Sequence, residues 1–209
     1  MSKILYITAN PKSEENSFSL SAGSEFINLY KEQNPNDEIV EIDVYNSDIP
    51  LIDKDVLSGW NKIQSGSEFT SLSDEEQRKV SRINELTDEF INADKYIFVT
   101  PLWNFSLPPM MKAYIDTICI AGKTFKYTEN GSVGLLNNKK ALHIQAMGGM
   151  YEQAVSNNIE FGNTYMKAII PFLGVEDVSS ILIDGTSILS KDQVQSSLYE
   201  EIKKMANSF

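Results

Sequence analysis

The 209-residue chain is poor in the residues that build disulfides and metal sites, with one cysteine, Cys119, and one histidine, His143. A single thiol excludes an intramolecular disulfide, and one thiol with one imidazole cannot complete a zinc-type ligand set. Basic residues are also scarce, 18 Lys and Arg against 29 Asp and Glu, for a net charge of −11. That balance argues against nucleic acid or an anionic membrane as a partner, because phosphate surfaces demand clustered cations. No stretch approaches the ~20 apolar residues of a membrane-spanning helix, and no apolar segment with a small-residue cleavage site follows the amino terminus. A cytoplasmic location is therefore expected. What is present is ordinary globular usage, 42% apolar and 22% charged, in a length that suits a single domain over 1–209.

Apolar runs and helical periods alternate along the chain. Residues 3–9 predict a first strand through Ile4-Leu5-Tyr6-Ile7, ended by Asn10-Pro11. Leu20, Phe26, Ile27 and Tyr30 then recur at helical spacing until Asn34-Pro35-Asn36. Residues 38–44 alternate Ile39, Ile42 and Val44 with acids, which suits a strand near a sheet edge. Residues 51–66 are weakly periodic and ambiguous. Ser73-Asp74-Glu75-Glu76 marks a helix start, with Val80, Ile83, Leu86, Phe90 and Ile91 on the buried side. A third strand, Tyr96-Ile97-Phe98-Val99, precedes a helix over 109–120, and 124–131 follow as an irregular excursion. A strand over 139–145, a helix over 158–173, a strand over 178–183 and a closing helix over 191–205 complete the order. The alternation implies right-handed crossovers and a parallel five-stranded sheet with helices on both faces, an α/β fold.

In such a sheet the carboxyl ends of the strands gather on one side and bind ligands there. Three of them carry unusual residues. After the first strand, Ser17-Phe18-Ser19 opens a helix, where free backbone N–H groups, the helix dipole and two hydroxyls favour a phosphate. Simple capping by Ser17 is the alternative. Neither G-x-G-x-x-G nor G-x-x-x-x-G-K-[ST] is present, so a dinucleotide-type loop and a triphosphatase both lose support, and a monophosphate such as that of FMN fits better. After the third strand, Pro101-Leu102-Trp103-Asn104-Phe105 offers N–H groups, an amide and two aromatic faces to a planar heteroaromatic ring, a flavin first among them. Trp103 and Phe105 as plain core residues are the competing reading. After the fourth, Ala146-Met147-Gly148-Gly149 lets backbone approach a ligand without a Cβ, and Tyr151 lies just beyond on the substrate side. His143 in an apolar strand suits a hydrogen-bonded core imidazole, and Cys119 a small buried hydrophobe. No catalytic acid or base and no metal ligand is predicted.

Four segments together resemble the FMN-dependent NADH azoreductases, also described as NADH:quinone oxidoreductases of flavodoxin-like fold. They are Ser17-Phe18-Ser19, the run from Pro101 to Pro108, Gly122-Lys123-Thr124-Phe125-Lys126-Tyr127-Thr128-Glu129-Asn130-Gly131, and Ala146 to Gly149. The resemblance covers nearly the whole chain and implies a flavodoxin-like three-layer sandwich. It implies an FMN phosphate held by Ser17, the Phe18 N–H and Ser19, with Asn10 nearby. The isoalloxazine would lie against Pro101, Leu102, Trp103, Asn104 and Phe105, with Ala146, Met147, Gly148 and Gly149 at its other edge. It further implies a homodimer with Tyr127 reaching the partner's flavin, and Phe105, Tyr127 and Tyr151 on the substrate side. Asn10 stands where many members have Ser, and Ala146-Met147 replaces a more polar pair.

The expected activity is ping-pong hydride transfer from NADH or NADPH through bound FMN to quinones and aromatic azo compounds, with the chemistry centred on the flavin. Two alternatives keep the fold: a nitroaromatic acceptor, and a flavodoxin-like electron carrier serving protein partners.

Overall fold

The computed structural model describes residues 1–150 and 159–209. Its main sheet joins β1 (Lys3–Thr8), β2 (Glu38–Asp43), β3 (Lys95–Pro101), β6 (Lys140–Ala146) and β7 (Asp177–Ile183) in the order β2-β1-β3-β6-β7. Every neighbouring pair is parallel, with Ile4 opposite Ile39 and Lys95, and Val99 opposite Ile144. β2 is indeed an edge strand, as its alternation predicts.

Side chains alternate across β1 and divide the apolar residues into two cores. Leu5 and Ile7 pack with Phe98 on β3 against α3 (Asp74–Asn92), α4 (Pro109–Ile118) and α5 (Gly162–Phe172). On the opposite face, Ile4 and Tyr6 join Ile97 and Val99 against α1 (Phe18–Gln33) and α6 (Lys191–Ser208). Phe90 on α3 stacks on Tyr96 with ring centroids 4.0 Å apart. The three layers thus follow from strands whose two faces are both apolar, as buried parallel strands require. No helix among the described residues is long and apolar enough to cross a membrane.

The ambiguous stretch 51–66 contains α2 (Lys54–Gln64), capped by Asp53, whose carboxylate accepts from the Asp55 and Val56 amides. Only Val56 and Gly59 of α2 are buried, so its apolar period is sparse. Ser73 and Glu76 form the reciprocal capping box that opens α3. Glu76 also accepts from Ser58 and Lys62, and these bonds hold its carboxyl down at about 2.

The expectation of an irregular excursion over 124–131 needs correction. β4 (Phe125–Thr128) and β5 (Gly131–Gly134) pair as an antiparallel hairpin, Phe125 opposite Gly134 and Thr128 opposite Gly131. Phe125 is buried against Phe172 at 4.7 Å between centroids, while Gly134 lies so close to the Leu173-Gly174 backbone that a Cβ there would collide with it. The α5 helix begins at Gly162 instead of 158, with the Glu160 carboxylate accepting from the Asn163 and Thr164 amides at its start.

Candidate functional site

The β1–α1 loop assembles a hydroxyl cluster around a buried amide. Asn10 Nδ2 donates to Ser17 Oγ at 2.8 Å, and Asn10 Oδ1 accepts from the Lys12 amide at 3.1 Å. Ser17 is the N-cap of α1, its Oγ accepting from the Leu20 amide at 3.2 Å. Ser19 Oγ lies 3.1 Å from Ser17 Oγ. Both lone pairs of the Ser17 hydroxyl are then taken, so its hydrogen goes to Ser19, and the Ser19 hydrogen is left to donate outward. The amides of Phe18 and Ser19 are first-turn donors for which an α-helix has no internal acceptor. Capping and anion binding are thus compatible roles of Ser17.

The β3–α4 loop stands beside this cluster. The Leu102 amide donates to Ala146 O at 2.8 Å, tying the loop to the end of β6. Trp103 and Ser106 exchange backbone hydrogen bonds of 2.9 Å in both directions. Between them Asn104 and Phe105 adopt φ of 48° and 68°, left-handed conformations that cost a non-glycine residue about 1 kcal/mol each. This tight reversal pushes the aromatic rings outward, Trp103 to 36% and Phe105 to 45% exposure. The Tyr45 ring packs against Trp103 with centroids 6.2 Å apart. Core packing of Trp103 and Phe105 is thereby excluded.

At the end of β6, Ala146 and Met147 are both buried. The Met147 amide donates to Ile183 O and its carbonyl accepts from Thr186, so this residue works through its backbone. A Cβ on Gly148 would meet Ser187 Oγ at 2.9 Å.

A cleft of about 240 Å³ is lined by Asn10, Ser17, Phe18, Ser19, Pro101, Leu102, Trp103, Ala146 and Gly148. Asn104, Phe105, Met147 and Gly149 belong to the same loops but do not line it, and Tyr127 projects from β4 at 76% exposure. Tyr151 lies outside the described residues. Four further residues line the cleft without having been singled out: Lys12, Asn16, Thr186 and Ser187. Lys12, five residues before Ser17, was legible as a cation near a phosphate site. Asp184-Gly185-Thr186-Ser187 shows only an ordinary turn composition, and its place at the cleft comes from the sheet order. Hydroxyls, helix-start amides and Lys12 fit a phosphate, and the bare Cα of Gly148 beside an aromatic loop fits a flat ring.

His143 is a core residue, as expected. Its Nδ1 donates to Asn163 Oδ1 at 3.0 Å and its Nε2 accepts from Thr100 Oγ1 at 2.9 Å. Burial drives its pKa down to about 4. Cys119 is partly buried, and burial pushes its thiol up to about 12, far from a reactive thiolate. No cluster of metal-ligating side chains occurs among the described residues.

A parallel sheet ordered β2-β1-β3-β6-β7, with a hydroxyl-lined helix start and an aromatic loop converging at its carboxyl edge, defines a protein of flavodoxin-like architecture. The chain belongs to the family whose model, described as flavodoxin-like fold, matches residues 2–209. It is 50% identical to an FMN-dependent NADH:quinone oxidoreductase of Bacillus pumilus over the full length of both chains. It is 55% identical to FMN-dependent NADH:quinone oxidoreductase 2 of Bacillus subtilis over 88% of each. Among solved structures, an FMN-dependent NADH-azoreductase from Bacillus anthracis in complex with FMN superposes with a TM-score of 0.92, at 39% identity, over 100% of this chain and 99% of that one.

Proposed function

We propose that the chain is an FMN-dependent oxidoreductase that takes hydride from NADH or NADPH and reduces quinones and aromatic azo compounds, acting as a cytoplasmic homodimer. One observation carries the reading: the Asn10-Ser17-Ser19 cluster and the Trp103 loop share one cleft. The identities with NADH:quinone oxidoreductases and the superposition on an FMN-bound azoreductase support it.

FMN, when bound, supplies a ring that accepts a hydride from the nicotinamide and yields it to the second substrate in a separate step. The chain's own residues bind and orient. Ser19 and the first-turn amides of α1 would donate to the phosphate, with Lys12 adding a neutralising charge. Leu102, Trp103 and Ala146 would wall the ring and keep water from it, and the backbone of Met147, Gly148 and Gly149 would approach its edge. Asn104 at the loop tip would meet the ring, and Phe105 and Tyr127 would face the substrate. Two flat substrates that replace each other on one ring face call for a shallow aromatic rim, which Trp103 and Phe105 provide. Cleavage of an azo bond needs two such rounds.

Exposed apolar side chains on the hairpin and beside the β3–α4 loop support the dimer. Phe161 donates its amide to Phe105 O at 2.8 Å and is exposed, as are Tyr127 and Val133. Beside Phe161 an apolar hollow of about 370 Å³ is walled by Leu107 and Tyr165. Exposed apolar side chains of this size suit a subunit interface.

The deciding experiment is anaerobic mixing of the purified, flavin-loaded protein with NADH, followed by a quinone. Rapid bleaching of the flavin without a partner reductase, and return of colour on adding the quinone, is the expected result. Slow or absent bleaching would identify an electron carrier instead.

A further inference from the structure

The cleft has a fourth wall, contributed by the loop between β7 and α6. Three backbone hydrogen bonds fasten it to the end of β6: Gly185 N to Gly149 O at 2.9 Å, Thr186 N to Met147 O at 3.0 Å and Ser187 N to Gly148 O at 3.1 Å. Gly185 has φ of 70°, a left-handed conformation that favours glycine. The loop is therefore a rigid extension of the β6–α5 backbone.

Its two hydroxyls are not equivalent. Thr186 Oγ1 donates to Met147 O at 3.0 Å and is committed to holding the loop. Ser187 Oγ makes no hydrogen bond among the described residues and occupies the space that a side chain on residue 148 would need. Both residues line the same cleft as Ser17 and Ser19. The sheet order puts them across it, since β3 and β6 separate β1 from β7. One wall is thus a phosphate-type cluster at a helix start, the other a single free hydroxyl beside a glycine.

We propose that Ser187 is a cofactor-binding residue whose hydroxyl serves the ribityl chain, the polyol that links the phosphate of FMN to its ring. This rests on the FMN reading of the cleft. A polyol needs partners that both donate and accept along its length, which a lone serine hydroxyl does and a lysine or backbone amide does not. The missing side chain at Gly148 is what lets Ser187 project into the cleft.

Titration of the flavin-free protein with FMN, riboflavin and lumiflavin, which lacks the ribityl chain, tests the assignment. Ser187→Ala should weaken FMN and riboflavin alike, roughly three- to tenfold as for one lost hydrogen bond, and leave lumiflavin binding unchanged. Unchanged FMN affinity, an equal loss for lumiflavin, or a loss confined to FMN would each overturn the proposal. An unaltered protein that binds none of the three flavins would instead refute the functional reading of the cleft.

Discussion

Acid sensitivity is expected to centre on one buried side chain. His143 is neutral and buried, with a pKa near 4 against about 6.5 in an unfolded chain. Between those values the unfolded state binds the proton first, so the contribution is complete above pH 6.5 and is lost as pH falls towards 4. About 3 kcal/mol of stability is at stake. Urea midpoints measured from pH 7.5 to 4 should fall, and His143→Gln should flatten the decline in that window. In the cleft, Ser17→Ala with Ser19→Ala should release FMN on dialysis, whereas Trp103→Ala should change the KM ratio between quinone and azo substrates with flavin content intact. Equal flavin loss in both would show that phosphate and ring are not held separately. Ser17 and Ser19 were legible in the sequence because a helix start is a local signal. Ser187 was not, because only the pairing of β6 with β7 and the backbone ties to Met147 and Gly148 bring it to the cleft.

Elements differ in how far their own composition determines them. β1 and β3 carry continuous apolar runs, and β6 is buried along nearly its whole length despite His143 and Gln145, which is why the central sheet and its ligand-binding edge could be read directly. Two elements escaped for opposite reasons. The α2 helix buries too little to show a period. The β4–β5 hairpin is stabilised from outside, by Phe125 on Phe172 and by the backbone of Leu173-Gly174 against Gly134. Gly134→Ala should therefore force the hairpin off α5 at a cost of about 1–3 kcal/mol, lowering the melting temperature by several degrees. Hydrogen exchange should show the loss of protection concentrated in 125–134. An unchanged melting curve would mean that the hairpin is not seated on α5.

At the scale of the whole molecule, the proposed dimer makes each cleft depend on a second chain. Mixing subunits tests this without any structure. A Ser17→Ala/Ser19→Ala subunit lacks the phosphate cluster but retains Tyr127, and a Tyr127→Ala subunit holds FMN but lacks the tyrosine. If Tyr127 reaches across, dissociating and reassociating the two variants should regenerate one natural cleft per mixed dimer and recover activity that neither has alone. Activity no greater than the sum of the separate proteins would place Tyr127 in its own subunit's chemistry. Among the described residues, a sheet of this order also leaves an unpaired flank on each outer strand, β2 and β7, and at β2 an incoming extended segment from another molecule would find free backbone groups. Glu38, Glu41 and Asp43 lie along that strand, and their mutual repulsion with a like strand discourages stacking of sheets into fibrils. Replacing Glu38 and Glu41 with Gln and Asp43 with Asn should therefore make concentrated solutions prone to β-rich aggregation.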